Sequence, residues 1–579
     1  MSMHIVDDEQ RRDRRATPMR PPGSGLEGAS ASLALLDDVP RHRLRRAALH
    51  LPLPSQERGP FQFSVRLLAL FVAGSAALAS AAGRDCASMM NAQVAGVTIQ
   101  KTEQMPALPA GSSVNTGAMP TKFEVAMPSY CRVDGIIDSR KSVNDVAYGI
   151  GFALALPENW NGRFLLQGGG GLNGSVGMPL GAQAAGDNPA LARGYAVVSM
   201  DSGHKGEGGF DASFMGDQKA ALDFYYLAVG RITGVAKELV ARYYGKPLEH
   251  SYFSGCSTGG REGMILSQRY PELFDGIIVG DPAMRTGYSN LALAYIGAVF
   301  GEAAPKDASG KADPGKLFSD LDRQLIKTAL LNACDQKDGV KDGMIFNPLA
   351  CDFDPAVLTC KGEKTEGCLK AQQVNALKIA FAGPKDPFEN DIYVPFPYDV
   401  GIADTGGFLP GLLAGPRIPV AQPGNSEKFD AARLAAQIDR NENTRLGDSL
   451  WTNLTTFASH GKLIFYHGTS DPWFSPLDTF TYYKKMAAET GGEQKALGWS
   501  RFYFVPGMGH CQGGSATLDN FDMLGAITDW VEKGVAPEGV VATGRSLPGR
   551  TRPLCPYPTH TEYKGQGDPQ DARNFECKQ

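Results

Sequence analysis

The chain has 579 residues, 42% of them hydrophobic and 21% charged, and its 62 acidic and 57 basic residues give a formal net charge of −5. This globular composition in a chain longer than one hydrophobic core usually organises predicts two domains, or one domain with a large insertion. The balanced charge, with no basic patch, excludes nucleic acid as the expected partner and leaves a small molecule.

Residues 1–83 form the first predicted segment, an upstream extension with a signal peptide. An apolar run at about 67–79 follows Arg66 and is followed by small residues that offer an Ala-x-Ala cleavage site, as in secretory signals. The run is too short for a comfortable membrane span, yet it lies far from Met1. Either the preceding residues come from an upstream start site, or the run is a membrane anchor. The first reading predicts a secreted or periplasmic protein without stable membrane association.

All ten cysteines follow this segment. An even number of cysteines in an exported chain predicts five disulfides in an oxidising compartment. The alternatives are reduced core thiols or a zinc site, but the sequence contains no Cys-x-x-Cys pair that would favour zinc.

From residue 84 the chain alternates short β-branched or aromatic runs with amphipathic stretches, which predicts βαβ units and a mainly parallel sheet. Apolar residues recur every three or four positions over 217–245, so one helix is predicted there, ending at a glycine. Further helices are predicted over 477–489 and 519–533. The predicted strands are 162–167, 195–200, 251–255, 275–280, 462–467 and 501–506.

Residues 283–451 break this alternation, because they are rich in Asp, Gly and Pro and have little regular period. The segment lies between two predicted strands. It is therefore predicted to be an inserted lid domain that divides the main α/β domain into residues 84–282 and 452–579.

The stretch "GCSTGGREG" (255–263) contains the pattern G-x-S-x-G between a predicted strand and a predicted helix. In a sharp strand-to-helix turn the glycines give the backbone room, and the serine hydroxyl is lifted clear of the sheet. The pattern predicts Ser257 as a nucleophile, with a surface Gly-Ser loop as the alternative.

A serine nucleophile needs a base, and the base needs a carboxylate to fix its tautomer. Asp471 and His510 each follow a predicted strand, and the order Ser257, Asp471, His510 is that of an α/β-hydrolase. Two other histidines near strand ends, His204 and His467, are predicted to be structural or pocket-lining.

Cys256 and Cys511 are the direct neighbours of Ser257 and His510. If the serine and histidine meet, these cysteines come within the roughly 4.4–6.8 Å between Cα atoms that a disulfide requires. The predicted bond would tie the turn of the nucleophile to the loop of the base and preorganise them.

An oxyanion hole is also required, because charge develops on the substrate carbonyl in the transition state. The N–H of Thr258 is one predicted donor, and the glycine-rich loop "QGGGGLNGS" (167–175) is predicted to supply the other. The alternative is a phosphate-cradling loop, but no Gly-Lys-Ser/Thr follows it.

The segment "CDQKDGVKDGMIFNP" (334–348) places Asp335, Asp338 and Asp342 in one short loop. Such carboxylates repel one another unless a hard cation binds, so the spacing predicts calcium. Solvated Asp-Gly turns are the alternative.

The Cys-Ser and His-Cys pairs with an aspartate between them resemble the tannase and feruloyl esterase family. The resemblance extends from about Cys86 to Cys577 through segments that include "NGRFLLQGGGGLNGS", "CDQKDGVKDG" and "VPGMGHCQGG". It implies an α/β-hydrolase fold with a lid, the same triad, and oxyanion donors at the N–H groups of Gly171 and Thr258. It also implies a structural lid Ca²⁺ on the side chains of Asp335, Asp338 and Asp342 and the carbonyls of Val340 and Met344. The implied disulfides are Cys86–Cys131, Cys256–Cys511, Cys334–Cys351, Cys360–Cys368 and Cys555–Cys577.

The activity implied by the resemblance is that of a secreted serine carboxylesterase, which cleaves small esters of aromatic carboxylic acids through an acyl-enzyme. The acyl group stays open among feruloyl, galloyl and terephthaloyl, the last as in the family's mono(2-hydroxyethyl) terephthalate hydrolases. The lid segment 395–420 contains no Trp, and Phe408 and Arg417 are its nearest candidates for ring stacking and carboxylate pairing. A non-catalytic phenolic- or carbohydrate-binding module on a hydrolase fold is the alternative of another class.

Overall fold

A nine-stranded sheet organises the part of the chain that the computed structural model describes, residues 85–115, 120–407, 409–415 and 429–579. The predicted signal peptide lies outside these residues, and so do Phe408 and Arg417. The strands are β1 Val97–Met105, β2 Ser113–Asn115, β3 Pro120–Lys122, β4 Tyr130–Lys141, β5 Ala147–Pro157, β6 Arg163–Gln167, β7 Ala196–Met200, β8 His250–Cys256, β9 Gly276–Gly280, β10 Lys462–Gly468, β11 Ser500–Val505, β12 Asn520–Phe521, β13 Val540–Thr543, β14 Arg552–Leu554, β15 His560–Tyr563 and β16 Phe575–Lys578. The α-helices are α1 Gln218–Leu222, α2 Ala228–Tyr244, α3 Thr258–Arg269, α4 Thr286–Ala303, α5 Asp320–Cys334, α6 Ala371–Ala382, α7 Ala431–Arg440, α8 Glu442–Gly447, α9 Thr455–Ala458, α10 Pro476–Glu489, α11 Glu493–Ala496 and α12 Met523–Lys533.

The order of the large sheet is β1-β4-β5-β7-β6-β8-β9-β10-β11. The last six strands in this order, β7-β6-β8-β9-β10-β11, are parallel to one another. They are the six predicted strands, and each prediction is correct to within one residue at either end. Strands β1, β4 and β5 are antiparallel. The predicted βαβ alternation is therefore wrong for the first part of the chain, where a short turn joins β4 directly to β5.

Helices cover both faces of the sheet, as buried parallel strands require. Alternate residues of β10 show the division: Leu463 and Phe465 pack in the core beneath α2, α3 and α10, whereas Ile464 and Tyr466 pack in the core beneath α12. The sequence pattern of short, continuously apolar strands follows from this burial on two sides.

The helix predicted over 217–245 is interrupted by a π-helical turn, Asp223–Leu227, between α1 and α2. The buried guanidinium of Arg261 donates to the carbonyls of Phe224 (3.0 Å) and Tyr225 (2.9 Å) in this turn. A tertiary contact therefore satisfies backbone groups that the π turn releases, and apolar periodicity alone does not reveal it.

The chain between β9 and β10, residues 281–461, is called the insertion, because it is far longer than the crossover of a dozen or more residues that two adjacent parallel strands require. Helices α4 to α9 belong to it, and it has a hydrophobic core of its own, which also takes in Trp473 and Phe474. Asp399 of the insertion accepts hydrogen bonds from the backbone N–H of Gly507 (2.7 Å) and the hydroxyl of Ser470 (2.9 Å). The insertion is thus attached to the loops that follow β10 and β11.

Among the helices of the described residues, none has both the length and the apolar character needed to cross a membrane.

Candidate active site

Ser257 stands in a sharp turn between β8 and α3, with a φ of 61° and a ψ of −121°. Few non-glycine residues adopt a positive φ, so the surrounding structure has to hold this conformation. The flanking glycines are sterically required: a Cβ on Gly255 would lie 2.7 Å from the carbonyl of Gly259, and a Cβ on Gly259 would lie 2.7 Å from the carbonyl oxygen of Gly169. The turn therefore has the geometry that the G-x-S-x-G pattern predicts.

Asp471 and His510 meet behind this turn, on the loops after β10 and β11. The Nδ1 atom of His510 lies 2.7 Å from Oδ2 of Asp471. The other carboxylate oxygen accepts the backbone N–H groups of Trp473 (2.8 Å) and Phe474 (3.2 Å). Because Nδ1 donates to the carboxylate, the lone pair of the imidazole lies on Nε2, the position from which a base acts.

The charges around Asp471 and His510 shift the pKa values of both groups in the directions that favour their hydrogen bond. Burial would raise the pKa of Asp471, but His510 and His467 outweigh it and hold that pKa well below its usual range. Burial would likewise lower the pKa of His510, whereas the Asp471 carboxylate beside it raises the pKa above the ordinary histidine value. Asp471 is therefore ionised and His510 is a stronger base than a free imidazole.

The Nε2 atom of His510 is buried and has no hydrogen-bond partner in the described part of the chain. Its neighbour Cys511 is bonded to Cys256, with 5.9 Å between the two Cα atoms, so the loops of His510 and Ser257 are covalently joined. The hydroxyl of Ser257 does not yet hydrogen-bond to Nε2, as is common for catalytic pairs without substrate.

The structure brings the two predicted oxyanion donors together. The hydroxyl of Thr258 donates to the carbonyl of Gly171, whose φ is +56°. Thr258 is the first residue of α3, so its N–H has no partner within the helix. Within the described residues, neither this N–H nor that of Gly171 makes a hydrogen bond. Two free backbone donors beside a serine can stabilise a developing oxyanion.

Glu262, on the second turn of α3, anchors the glycine-rich loop of this site. Its buried carboxylate accepts the backbone N–H of Gly169 (2.9 Å) and the Nδ2 group of Asn173 (2.9 Å). Gly259 adds a hydrogen bond from its N–H to the Gly169 carbonyl (3.0 Å). Sequence reasoning missed Glu262; its position one helical turn after Thr258 was the available signal.

The other two histidines near strand ends have partners of their own. His467 is fully buried, with Nδ1 3.0 Å from the hydroxyl of Thr479 and Nε2 3.0 Å from the carbonyl of Phe474. The Nε2 atom of His204 lies 3.0 Å from the carbonyl of Leu172, next to the candidate oxyanion glycine. Both histidines thus support the backbone of the site.

Aromatic rings surround the histidine. The ring centroids of Trp473 and Phe474 lie 5.7 Å and 5.3 Å from that of His510. Phe210, which follows the glycine that hydrogen-bonds to Leu172, packs at 5.8 Å against Trp473. Trp473 and Phe474 are themselves buried in the core of the insertion, so a packed aromatic cluster lies next to the base and the oxyanion loop.

The predicted metal loop is folded around its carboxylates. Asp335 accepts the N–H of Gly343 (3.1 Å), and Asp338 accepts that of Phe346 (2.9 Å). Burial, reinforced by the charges of Asp342 and Asp335, raises the pKa of Asp338 to about 7.

Asp342 of this loop pairs with the buried guanidinium of Arg552. Among the described residues, no choice of one carboxylate oxygen from each of the three aspartates brings all three oxygens within 4.8 Å of one another. Two buried, mutually repelling carboxylates, Asp335 and Asp338, fit a hard cation, whereas Asp342 shares its charge with an arginine.

Five disulfides are present in the structure, and they are the five pairs that the sequence resemblance implies. They are Cys86–Cys131, Cys256–Cys511, Cys334–Cys351, Cys360–Cys368 and Cys555–Cys577.

A serine in a sharp strand-to-helix turn, a buried Asp–His pair and two free backbone N–H groups lie here at the carboxyl ends of parallel strands. These are features of the serine hydrolases with an α/β-hydrolase fold. More narrowly, the chain belongs to the family of tannase and feruloyl esterase, whose family model matches residues 131–411 and 425–578. It is a carboxylic ester hydrolase.

Two relatives illustrate the similarity in sequence. The mono(2-hydroxyethyl) terephthalate hydrolase of Piscinibacter sakaiensis is 36% identical, over 79% of this chain and 86% of the relative. Feruloyl esterase B of Aspergillus niger is 30% identical, over 73% of this chain and 82% of the relative.

Solved structures agree on the fold. Feruloyl esterase B from Aspergillus oryzae superimposes with a TM-score of 0.69 at 24% identity, covering 85% of this chain and 99% of that one. Tannin acyl hydrolase from Aspergillus niger gives a TM-score of 0.63 at 22% identity, covering 84% and 92%.

Proposed function

We propose that this esterase hydrolyses esters of aromatic carboxylic acids through an acyl-enzyme on Ser257. The observation that carries the proposal is the buried Asp471–His510 pair, in which Nε2 of His510 has no hydrogen-bond partner among the described residues. The Cys256–Cys511 disulfide joins the loop of His510 to the turn of Ser257. A base with an available lone pair beside a strained serine turn is the arrangement of a nucleophilic hydrolase.

In the first half of the reaction, Ser257 Oγ attacks the ester carbonyl while Nε2 of His510 takes the hydroxyl proton. The N–H groups of Gly171 and Thr258 donate to the oxyanion that forms. His510 then protonates the leaving alcohol as the C–O bond breaks, which leaves the acyl group on Ser257.

In the second half, a water molecule replaces the alcohol. His510 removes its proton, the hydroxide adds to the acyl carbonyl, and the tetrahedral intermediate expels Ser257, which regains its proton from His510. Asp471 stays ionised throughout and stabilises the imidazolium in both halves.

Aromatic acyl groups are supported by the rings next to the base. Trp473 contacts both Phe210 and His510, so aromatic side chains line the region next to the base, where an aromatic acyl group would find apolar partners. The names of the relatives, feruloyl esterase and terephthalate monoester hydrolase, describe aromatic acids.

Mono(2-hydroxyethyl) terephthalate hydrolysis is the second candidate within this class, and the relative from Piscinibacter sakaiensis favours it. It would need a cation for the free carboxylate of the substrate. Arg417, with Phe408 for stacking, is the sequence candidate in the insertion, and both lie outside the described residues.

A non-catalytic binding module is the alternative from another class. Such a module would have no reason to keep a buried Asp–His pair with a depressed carboxylate pKa beside a serine turn. Stoichiometric labelling of Ser257 by an organophosphonate would exclude it.

The acyl-enzyme is tested by rapid-quench mass spectrometry with methyl ferulate. We expect the peptide that contains Ser257 to gain the mass of one feruloyl group during turnover, and Ser257→Ala to gain none. Turnover without acylation of that peptide, or with acylation at another residue, would rule out the proposed intermediate.

We also propose that Ca²⁺ binds the insertion at Asp335, Asp338 and Asp342, with the carbonyls of Val340 and Met344. The buried carboxylates and the raised pKa of Asp338 support a cation there. The ion would neutralise the loop and stabilise the insertion, at a distance from the chemistry that the triad carries out.

Finally, we propose that the protein is secreted or periplasmic. Five disulfides are typical of an oxidising compartment, and every cysteine lies after the predicted signal peptide.

A further inference from the structure

Asp281 is a fully buried carboxylate that directly follows strand β9. Its φ is 34°, in the left-handed region that only Asn, Asp and Gly enter readily. Its own N–H donates to the carbonyl of Tyr466 (3.1 Å) on the neighbouring strand. A buried charge on a strained backbone is costly, so its contacts have to compensate for it.

Those contacts reach the segments that carry the triad. One oxygen of Asp281 accepts the N–H of Gly468 (3.0 Å), three residues before Asp471. The other oxygen accepts the N–H of Cys511, the residue after His510. One carboxylate therefore ties the loop of the acid to the loop of the base.

The backbone around Asp281 also holds the nucleophile. The N–H of Ser257 donates to the carbonyl of Gly280 (3.1 Å), and the carbonyl of Ser257 accepts from Ala283 (3.0 Å). The segment 280–283 thus contacts the loops of all three triad residues.

Two charged or titratable groups lie beside Asp281 in this buried cluster, His467 and Asp471, with one ligand atom of each within 4.8 Å of the others. His510 is hydrogen-bonded to Asp471, and the negative charge of Asp281 acts to raise the pKa of His510. Both nitrogens of His467 already have hydrogen-bond partners, so the cluster is a hydrogen-bonded charge network and not a vacant metal site.

We propose that Asp281 is a positioning residue for ester hydrolysis: it fixes the loops of Asp471 and His510 relative to Ser257 and adds a second negative charge behind the imidazolium. The inference rests on the proposed function of the triad and deepens it. A carboxyl group accepts both N–H groups through its two oxygens, whereas an amide in its place would direct an NH₂ group at one of them.

The test is Asp281→Asn, which keeps the shape of the side chain and tolerates the positive φ. We expect kcat to fall by about 100-fold, the cost of a small misplacement of reacting groups, with KM nearly unchanged. We also expect the acid limb of the kcat/KM profile to move to lower pH, because loss of a nearby negative charge lowers the pKa of His510.

Asp275→Asn is the matched control. Asp275 stands at the opposite end of β9, where its carboxylate accepts the N–H of Ser251 (2.8 Å) and its carbonyl accepts that of Lys462 (2.8 Å). Asp275 therefore bonds to β8 and β10, the strands next to β9, but at the end of the sheet away from the triad. The Asp275→Asn substitution should leave the pH profile unchanged.

All rates are normalised to the active sites titrated with an organophosphonate, which removes the effect of misfolded protein. If Asp281→Asn does not fold, Asp281→Ser replaces it, since the smaller hydroxyl removes the charge and leaves room for water. An Asp281 variant with the kcat and pH profile of Asp275→Asn would overturn the proposal. An inactive wild-type protein would instead reject the proposed function itself.

Discussion

Asp471 acts on His510 in two ways, by fixing the proton on Nδ1 and by charge. Replacement by Asn keeps a polar side chain at hydrogen-bond distance but removes the charge and permits the wrong tautomer. We predict that Asp471→Asn lowers kcat by about 10⁴-fold. The neutral form of His510 is the base, and its raised pKa moves the wild-type acid limb to a higher pH than an ordinary histidine would give. The limb should move to lower pH in the variant.

The measurement is the pH dependence of kcat/KM for both proteins between pH 4 and 9. A variant whose acid limb stays at the wild-type position would show that Asp471 does not set the pKa of the catalytic base.

Residues that follow strands were predictable from the sequence, whereas residues that hold them were not. Ser257, Asp471 and His510 each follow a recognisable apolar strand, and their order along the chain adds to the pattern. Glu262 and Asp281 bind backbone N–H groups of segments distant in sequence, and any residue type offers such an N–H. The sequence alone therefore does not show which backbone N–H groups Glu262 and Asp281 bind.

Among the elements, the Cys256–Cys511 disulfide connects the β8–α3 turn to the loop after β11, across 255 residues of chain. The chain-entropy model gives such a loop at most about 5 kcal/mol, but its position beside both reacting residues indicates preorganisation as well. We predict that the double variant Cys256→Ala, Cys511→Ala loses about 10-fold in kcat at a temperature where it is fully folded. The loss is moderate because Asp281 still accepts the backbone N–H of residue 511.

The control is Cys86→Ala, Cys131→Ala, which opens a disulfide at the far edge of the sheet. Thermal melting and kcat are compared for both double variants. Equal kcat in the two, at full folding, would mean that the central disulfide contributes only stability.

The elements also show where the sequence pattern was ambiguous. The parallel strands were predicted almost to the residue, because burial on both faces makes them continuously apolar. Strand β4 alternates buried and partly exposed residues and was not predicted. Its neighbour β5 was not predicted either, although it is buried along most of its length. The π turn between α1 and α2 leaves the apolar period almost unchanged, so only the contact with Arg261 marks it.

For the whole molecule, the proposed calcium site links the insertion to the C-terminal region, since Asp342 pairs with Arg552 of β14. Ligand binding to the folded state adds RT ln(1 + [L]/Kd) of stability, about 2.7 kcal/mol at 100 times Kd. We predict that a chelator lowers Tm by about 5 °C, that Ca²⁺ restores it, and that kcat at 25 °C is unaffected.

Asp338→Asn provides the comparison for this prediction, because it removes a proposed ligand. Its Tm should be low and should not respond to the chelator. A wild-type Tm that is the same with chelator and with excess Ca²⁺ would speak against the site.

The central claim is that Ser257, His510 and Asp471 hydrolyse aromatic esters. The most direct measurement is the rate of hydrolysis of methyl ferulate, methyl gallate and mono(2-hydroxyethyl) terephthalate by the protein from residue 84 onward, beside its Ser257→Ala variant. We predict turnover of at least one of the three esters, lost by 10⁴-fold or more in the variant, with the ranking naming the preferred acyl group. No turnover of any of the three, or equal rates in the two proteins, would contradict this account.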